Sequence, residues 1–450
     1  MTLESNYVMA VLTAVVVMST SVVGAVVYVD SNSPYDPGSG SEVEPFLRIQ
    51  DAIGAAAEGD TVEIRPGTYT GPGNYDLDTG GKRVTIRSID GYNHAVVAGT
   101  IVDAGRAGRV FCFQSGEDAN CTVLGLTMQN GSSGFGGGVL CHQSSPTFIN
   151  CVVQDSSAIA YGGGVFCWGS DSKFIGCTMR GNSSDAGGGI ECWSGEPEIV
   201  NCLIYGNAAT GSDAGGGGVD CYDSGNPTLR NCTIAGNSAP AGSGGGLLCM
   251  GSNATVANCI FWGNDADRGP ELGVPSWFGI PAAVTVSYSD LQGGLAGVLV
   301  GAKSAVNWGS GNIDVPPRFA GFDPGGEACN WDFHLQSVYG CWDANSCRWV
   351  ADSNTSPCID SGDPNSDWTG ELWPNGKCIN AGAYGGTARA SLSGNPGDFD
   401  MNGVVDFEDF CEMANSWRSK EKVIEDLNGD GVVGPADLGL FAGNWLWRRQ

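Results

Sequence analysis

Apolar and small residues follow a pattern in the middle of the chain that recurs every 25 to 29 residues. Each repeat has a glycine cluster and then an aliphatic residue, one variable residue and a cysteine. The aliphatic and cysteine pairs are Val139 and Cys141, Val165 and Cys167, Ile190 and Cys192, Val219 and Cys221, and Leu247 and Cys249. A fixed period in the twenties, built from short apolar pieces and glycine turns, is typical of a solenoid.

The pieces between the glycine clusters have the alternation of short β-strands, as in the segments 146–150 and 151–153. No helical period runs through the repeats, and the leucine spacing of leucine-rich repeats is missing. We therefore predict an all-β fold, a right-handed parallel β-helix in which each repeat makes one coil of three short strands. Neighbouring coils should lie ~4.8 Å apart, the spacing of hydrogen-bonded strands.

Equivalent residues of successive coils should stack into ladders. A second set of cysteines follows the first: Cys151, Cys177, Cys202, Cys232 and Cys259. Just before these second cysteines stand asparagines that fit an inward ladder at a turn, interrupted at Gly176: Asn150, Asn201, Asn231 and Asn258. Another asparagine follows four of the second cysteines: Asn182, Asn207, Asn237 and Asn264.

Each cysteine of the first family lies two positions after an inward aliphatic residue and so should point inward too, and we expect both cysteine families to stack inside the coil. Stacked cysteines would be within disulfide distance, but small buried apolar residues explain them equally well, and both interpretations stay open. For the irregular C-terminal sequence we expect disulfides among Cys329, Cys341, Cys347, Cys358 and Cys378.

The alternation also predicts which side chains leave the coil. If Val139 and Cys141 point inward, Leu140 and His142 point outward. One outward row is then Leu140, Phe166, Glu191, Asp220 and Leu248, and the other is His142, Trp168, Trp193, Tyr222 and Met250.

Aromatic rings offer flat apolar faces to the C–H faces of sugar rings, so His142, Trp168, Trp193 and Tyr222 form a candidate carbohydrate-binding strip. Glu191 and Asp220 should be one strand spacing apart, and such a carboxyl pair suits acid catalysis of glycoside cleavage. Two alternatives stay open. A loop that covers the strip would make it secondary core, and an exposed strip could bind a glycan without cleaving it.

The N-terminal sequence suggests an exported protein. An apolar run over 8–17 and the small residues near Ala25 resemble a secretory signal over 1–25, although an acidic Glu4 replaces the usual basic residue. A membrane anchor or a buried first strand are the alternatives. A strand over 26–30 and a short helix over 46–57 that caps the solenoid are expected next.

The length and net charge of the chain limit the domain organisation and the classes of partner that it can bind. With 450 residues, the chain has room for one large solenoid and one small module. The net charge of −28 disfavours nucleic acid and acidic polymers, whereas calcium or a neutral glycan suits it. No segment after the signal reads as a membrane-spanning helix.

Two acidic loops near the C-terminus have the ligand spacing of EF-hand-type calcium sites, with glycine at the sharp turn. Their candidate ligands are Asp398, Asp400, Asn402, Val404, Asp406 and Asp409 in the first loop, and Asp426, Asn428, Asp430, Val432 and Asp437 in the second. Apolar residues at helical spacing follow each loop: Phe410, Met413 and Trp417, and Leu438, Phe441 and Trp445. We expect each loop to be followed by a helix and the two helices to pack together.

Several motifs resemble known families. The segments 28–30, 59–62 and 66–69, the glycine turns and the closing 356–360 and 380–386 resemble secreted β-helix proteins of the pectin-lyase-like superfamily, with repeats similar to those of polymorphic outer membrane proteins. The duplicated loop-helix resembles a type I dockerin. That resemblance implies calcium as the bound ion and a cohesin-like protein as a partner, although Phe407 and Glu408, and Pro435 and Ala436, stand where cellulosomal dockerins carry small hydroxyl pairs.

The predicted organisation is a signal at 1–25, a β-helix at 26–390, a linker at 391–397 and a dockerin-like module at 398–450. The first hypothesis is a secreted or cell-surface protein that binds a carbohydrate or other cell-surface material and docks through its C-terminal module. The alternative is a polysaccharide lyase or glycoside hydrolase that uses Glu191 and Asp220.

Overall fold

The computed structural model describes residues 24–211, 215–343, 346, 348–400, 402, 404–420, 423–427 and 431–446. The predicted signal segment therefore lies outside the described residues, apart from Gly24 and Ala25. No helix of the described ranges is long and apolar enough to cross a lipid bilayer.

The described chain winds through parallel β-sheets, and each full coil contributes one strand to each sheet in turn. We number these sheets 1 to 4 in the order in which a coil enters them. Sheet 1 holds Val26–Val29, Thr61–Ile64, Thr85–Ser88, Thr122–Leu124, Thr147–Ile149, Lys173–Ile175, Glu198–Val200, Thr228–Arg230, Asn253–Ala257, Ala283–Ser287 and Ala305–Trp308. Sheet 2 holds Gly67–Tyr69, Thr100–Asp103, Thr127–Gln129, Val152–Gln154, Thr178–Arg180, Leu203–Tyr205, Thr233–Ala235, Ile260–Trp262 and Asp290–Leu291.

Two further sheets complete the coil. Sheet 3 is short and holds Ser132–Phe135, Ser157–Tyr161, Ser183–Ser184, Ala208–Ala209, Ser238–Ser243 and Asp265–Arg268. Sheet 4 holds Phe111–Phe113, Val139–His142, Val165–Trp168, Ile190–Gly195, Val219–Gly225, Leu247–Met250, Leu272–Val274 and Leu299–Val300. The prediction of a parallel β-helix is confirmed, but the prediction of three strands per coil is wrong in the central coils. Sheet 3 was missed because its strands are short and rich in serine and alanine, without an apolar alternation.

Successive coils are in register, so that equivalent residues lie beside each other. Val139 pairs with Val165, Val165 with Ile190, and Ile190 with Val219. These aliphatic side chains are fully buried in a continuous core that runs through the coils. Phe148 and Phe174 continue the stacking, with ring centroids 5.1 Å apart and nearly parallel planes.

Both predicted cysteine families are buried inside the coil, and their thiols are free. Each cysteine of the second family donates its S–H to the carbonyl two residues earlier, as in Cys202 to Val200 at 3.3 Å and Cys232 to Arg230 at 3.2 Å. In the C-terminal region the expected disulfides are not formed by Cys341, Cys358 or Cys378, which are also free. The side chain of Cys329 and the whole of Cys347 lie outside the described residues.

The buried amide ladder that runs through four coils is formed by Asn182, Asn207, Asn237 and Asn264. Each side-chain amide donates to the carbonyl oxygen of the next asparagine, at 3.0 Å, 2.9 Å and 2.9 Å. In the set that we predicted, Asn258 donates to the Asn231 side chain at 3.3 Å, but no ladder runs through all four residues. The predicted set, Asn150, Asn201, Asn231 and Asn258, occupies left-handed positions with φ between 49° and 55° at the corner of sheets 1 and 2. Its side chains mostly face the segments outside the coil, because a left-handed corner turns the side chain away from the core.

Helix α1, Ile49–Ala55, closes the N-terminal end of the solenoid. It buries Ile49, Ala52 and Ile53 against the first coils. The helix that we predicted over 46–57 is thus present but shorter at both ends. A second helix, α2, His94–Gly99, was missed because it is only six residues long. The Asn93 side chain caps α2 by accepting from the backbone of Ala95 at 3.0 Å.

The chain beyond the last coil folds back over sheet 2. The antiparallel strands Phe319–Gly321 and Asp332–Leu335 place Phe319, Phe333 and Leu335 on Tyr205 and Ile260 of that sheet. A second hairpin pairs Cys341–Asp343 with Arg348–Val350, and short 3₁₀ turns occur at Gly294–Gly297 and Ala328–Asn330.

The C-terminal residues form a small separate cluster with two short helices, α3, Phe407–Asn415, and α4, Pro435–Gly443. Phe399, Val405, Met413, Val433 and Phe441 are buried in it. The predicted helix faces extend too far, since Trp417 and Trp445 lie beyond the helix ends and are 38% and 44% exposed.

The segment 391–397, which we expected to be a linker, is packed rather than free. The Ser391 hydroxyl donates to the Leu335 carbonyl, and the Trp373 indole donates to the Pro396 carbonyl at 3.2 Å. The Asn395 amide donates to Asn444 at 2.9 Å. The small polar side chains of the segment 391–397 fit closely between neighbouring residues, and composition alone did not predict this packing.

Candidate functional site

A row of aromatic side chains runs along the outer face of sheet 4. His142 pairs in register with Trp168, Trp168 with Trp193, and Trp193 with Tyr222. We call His142, Trp168, Trp193 and Tyr222 the open row. Trp168 is 46% exposed, and the other three are partly exposed. The structure thus brings the four predicted binding residues together on four consecutive coils.

The rings of the open row touch from coil to coil. The centroids of His142 and Trp168 are 4.7 Å apart, and those of Trp168 and Trp193 are 5.8 Å apart with planes inclined by 25°. Trp193 and Tyr222 meet edge to face at 5.1 Å. This arrangement gives a continuous aromatic surface along the axis of the solenoid.

Other aromatic residues, which sequence reasoning missed, extend this surface on both sides. Trp277 lies 4.6 Å from Tyr222 and is followed by Phe278, which is 91% exposed. On the other side Phe135 and Tyr161 stack at 5.9 Å, and Tyr161 meets Trp193 edge to face. Phe135 and Tyr161 share a signal, since each comes directly before a glycine cluster.

The second predicted outward row is covered. We call Leu140, Phe166, Glu191, Asp220 and Leu248 the covered row. Phe166 and Leu248 are 1% exposed, and Leu140 is partly exposed. Glu191 and Asp220 point out of the coil as predicted, but they are only 1% and 2% exposed, so for this row the alternative of a covering segment is the one that the structure has.

The glycine clusters explain this burial. The chain between sheets 3 and 4 passes directly over the covered row before it enters sheet 4. A Cβ on Gly187 would stand 2.8 Å from the Cβ of Glu191, and one on Gly162 would stand 2.8 Å from that of Phe166. The backbone approaches so closely that no side chain fits between, and the φ of 65° at Gly187 also favours glycine.

Burial changes the electrostatics of the acid pair. Desolvation raises the pKa of Asp220 to about 7. It raises the pKa of Glu191 as well, and the neighbouring Asp220 charge adds to that shift. Glu191 Oε2 and Asp220 Oδ1 are buried and receive no hydrogen bond from the described residues. The pair therefore retains protons at a pH where exposed carboxyls are ionised.

Exposed carboxylates border the open row. Asp223 accepts from the Trp193 indole nitrogen at 3.2 Å and so fixes that ring. Asp171 and Glu196 lie near the same edge and are exposed, with the Glu196 backbone donating to Asp171 at 2.8 Å. This edge of the surface carries negative charge and hydrogen-bond acceptors.

The first C-terminal loop curls around a set of carboxylates. Oxygen atoms of Asp398, Asp400 and Asp409 lie within 4.8 Å of one another. Asp409 is fully buried and accepts from the backbone of Phe399 at 2.6 Å and of Asp406 at 2.8 Å. Three hard oxygen donors around a tight turn suit a calcium ion.

The rest of that loop and the second loop are described only in part. Asn402 accepts from the Val404 backbone at 2.8 Å, within the turn of the first loop. In the second loop Asp437 is fully buried, and Asp426 accepts from the Gly431 backbone at 2.8 Å. Asn428 and Asp430 lie outside the described residues, so their predicted metal role, like that of Val432, stays a prediction.

Comparison with known proteins agrees with the solenoid. The family described as "Right handed beta helix region" matches residues 88–261 and, again, residues 163–292. No curated protein matches the chain. Among solved structures, the chain is similar to "Crystal structure of pectate lyase Pel9A", with 15% identity and a TM-score of 0.47 over 80% of this chain and 96% of that chain. It is also similar to "Rhamnogalacturonan lyase", with 15% identity and a TM-score of 0.35 over 74% of this chain and 97% of that chain. The repeats of this chain thus match a right-handed β-helix.

Proposed function

We propose that this protein binds a neutral polysaccharide along the open row of sheet 4. The observation that carries the proposal is the alignment of His142, Trp168, Trp193 and Tyr222 on consecutive coils, with half of the Trp168 side chain open to solvent. An extended glycan that runs along the solenoid axis can lay successive sugar rings on successive aromatic faces. Asp223 and the other acceptors at the edge are placed to take hydrogen bonds from sugar hydroxyls.

Charge favours a neutral glycan over an acidic one. The chain carries a net charge of −28, and exposed carboxylates border the open row. A uronate polymer brought along this surface would meet like charges, and its binding would weaken further at low ionic strength. Neutral hydroxyl-rich chains have no such cost.

Burial favours binding over cleavage by the predicted acid pair. A general acid must come within hydrogen-bond distance of the glycosidic oxygen. Glu191 and Asp220 are covered by backbone at Gly187 and its equivalents, so a glycan on the open row does not reach them without opening of that segment. The raised pKa of the pair is what an acid catalyst needs, and it keeps a polysaccharide-degrading enzyme as the second candidate function.

For the C-terminal module we propose a calcium-dependent docking role outside the cell. Asp398, Asp400 and Asp409 would hold one ion, with Asn402, Asp406 and the Val404 carbonyl completing the shell. Asp426, Asn428, Asp430, Asp437 and the Val432 carbonyl would hold a second. Two filled loops would fix α3 and α4 against each other and present a surface to a cohesin-like partner.

A glycan panel tests the polysaccharide proposal. The pure protein is incubated with neutral and uronate polysaccharides, and both retention and new reducing or unsaturated ends are measured. We expect retention on a neutral glycan, weaker retention on uronates and no new ends. Turnover that Glu191→Gln abolishes would establish the enzyme instead. Retention on no glycan of either class would contradict the proposal.

Calcium titration tests the module. We expect calcium to bind the full chain and to raise the melting temperature of the C-terminal residues, since only the folded loops offer the ligand set. Asp400→Asn should weaken the first site by about tenfold or more, because it removes a charged ligand. The matched control is Asp171→Asn, which removes an exposed carboxylate of the β-helix and should leave calcium binding unchanged. Equal calcium binding by Asp400→Asn and the unmodified chain would contradict the assignment of this loop.

A further inference from the structure

A tight hairpin, residues 277–280, lies beside one end of the open row. The backbone N–H of Trp277 donates to the Ile280 carbonyl at 2.9 Å, and that of Ile280 donates to the Trp277 carbonyl at 2.7 Å. The two residues between them, Phe278 and Gly279, both have left-handed backbone, with φ of 44° and 80°. The connection is therefore a two-residue turn whose central residues both need positive φ.

Phe278 is an unusual residue for the first central position of such a turn. Asparagine, aspartate and glycine adopt left-handed backbone readily, whereas a bulky aromatic residue does so at a cost in stability. The Phe278 side chain is also 91% exposed, the largest exposed fraction of any large apolar side chain that the structure describes. Backbone strain of this kind is concentrated where proteins bind ligands. The ring gives the fold neither burial nor a relaxed backbone, which points to contact with another molecule.

The hairpin supplies the aromatic ring that the open row lacks at its next coil. Tyr222 is the last ring of the row, and it pairs in register with Met250. Trp277 reaches this place from the loop, and its ring centroid lies 4.6 Å from that of Tyr222. It rests on Gly251, where a Cβ would stand 3.5 Å from the Trp277 ring. Phe278 continues the surface, with its ring centroid 5.3 Å from that of Trp277.

The aromatic surface with the hairpin follows a straight line along the solenoid. The strands from His142 to Met250 pair in register at these positions, and each coil adds ~4.8 Å. A glycan that follows this line has to be extended. Pyranose chains with β-1,4 linkages form flat extended ribbons, whereas chains with α-1,4 linkages curl into helices and would leave the line.

We propose that the hairpin binds one sugar unit beyond the open row, and that the surface takes an extended β-1,4-linked neutral glycan of five or more units. The proposal rests on the glycan binding by the open row that is proposed above. Four units would lie on His142, Trp168, Trp193 and Tyr222, one on each coil. The fifth unit would place its apolar C–H face on the exposed ring of Phe278.

Calorimetric titration of the full chain with cellohexaose, cellotriose and maltohexaose tests the proposal. Cellohexaose is long enough to reach the hairpin from the far end of the row, cellotriose is too short, and maltohexaose has the same length as cellohexaose but curls. We expect cellohexaose to bind about tenfold or more tightly than either of the other two.

Phe278→Asn separates a binding role of the hairpin from a structural one. It should weaken cellohexaose binding by about tenfold and change cellotriose binding little, because three units fit on the row without the hairpin. Asparagine suits the left-handed position, so the melting temperature should rise by about 1–2 °C, whereas loss of a structural residue would lower it. Phe278→Tyr keeps the ring and should keep the affinity. The matched control is Lys303→Asn, an exposed left-handed position with φ 66°, which should leave cellohexaose binding unchanged.

The outcomes distinguish the hairpin from the open row. Equal cellohexaose affinity of Phe278→Asn and the unmodified chain would overturn the role of the hairpin and leave glycan binding by the open row intact. Failure of cellohexaose to bind the unmodified chain, or equal binding of maltohexaose, would overturn the assignment of an extended β-1,4-linked chain. Retention on no glycan of the panel would instead contradict the open row itself.

Discussion

The side chains of the open row and of the covered row belong to the same strands of sheet 4, where they lie two residues apart and on the same face. Trp168 is 46% exposed, whereas Phe166 on the same strand is 1% exposed. Both side chains point away from the core, so strand alternation does not separate them. The difference comes from the backbone before each strand, which crosses over Phe166 and its equivalents and ends short of Trp168.

The glycine clusters therefore have two functions. They turn the chain from sheet 3 into sheet 4, and they allow the backbone to lie directly on the covered row. Phe166 then packs with Phe135 and Tyr161 as part of a secondary core outside the coil, with Phe135 at 5.9 Å. That secondary core holds the aromatic surface in place, and the open row remains free to meet a ligand.

The largest expected effect is the difference in stability loss when one aromatic side chain of each row is truncated to alanine. Phe166→Ala should destabilise the fold by about 3–5 kcal/mol, because it leaves a cavity under the glycine segment. Trp168→Ala should change stability by less than about 1 kcal/mol, since its ring is half exposed. Chemical denaturation of the two variants measures both values. Equal losses in the two variants would mean that the rows do not differ as described.

The next effect tests the close approach of the backbone. Gly187→Ala should destabilise the fold by about 2–3 kcal/mol, from a left-handed backbone and a Cβ 2.8 Å from that of Glu191. Gly80→Ala has nearly the same φ and open space around its Cβ, so it should show only the backbone cost of about 1–2 kcal/mol. A Gly187→Ala variant no less stable than Gly80→Ala would show that the segment does not press on Glu191.

A further effect is expected from the acid pair, and it appears only as a difference between two pH values. A carboxyl whose pKa is raised by burial binds its proton more tightly in the folded state. Its contribution to stability is therefore most favourable below the unfolded pKa near 4 and is lost as pH rises through about 7, the folded pKa of Asp220.

Asp220→Asn removes this dependence, because the amide does not ionise. Between pH 4 and pH 8 the unmodified chain should lose about 4 kcal/mol more stability than the variant, at about 1.4 kcal/mol for each unit between the unfolded and folded pKa values. Glu271 and Asp290 have pKa values raised to about 7 and about 6 by burial, but they are present in both proteins and cancel in the difference. Parallel pH curves for the two proteins would contradict the burial of an ionisable pair at this position.

Much of the solenoid was predictable, because the period of the repeat shows which residues of successive coils are equivalent. The period placed Val139, Val165 and Ile190 in one buried stack and the aromatic residues in one row, and the structure has both. The turn asparagines were harder to assign. Asn182 and Asn150 both recur with the repeat, and only the local backbone decides which set points into the core.

The covering of Glu191 and Asp220 was not predictable from alternation. A glycine cluster predicts a turn, but it does not say what the turn passes over. Trp277 and Phe278 were missed for a related reason, since they reach the surface from a loop that has no place in the repeat. Helix α2 was too short for its apolar residues to show a period.

The most direct test of the binding surface is calorimetric titration of a neutral oligosaccharide into the unmodified chain, Trp168→Ala and Trp445→Ala. Trp445 is 44% exposed on the C-terminal cluster and so matches Trp168 in exposure but not in position. We expect Trp168→Ala to weaken binding by about tenfold or more and Trp445→Ala to leave it unchanged. Equal affinity of Trp168→Ala and the unmodified chain would contradict a glycan surface on the open row.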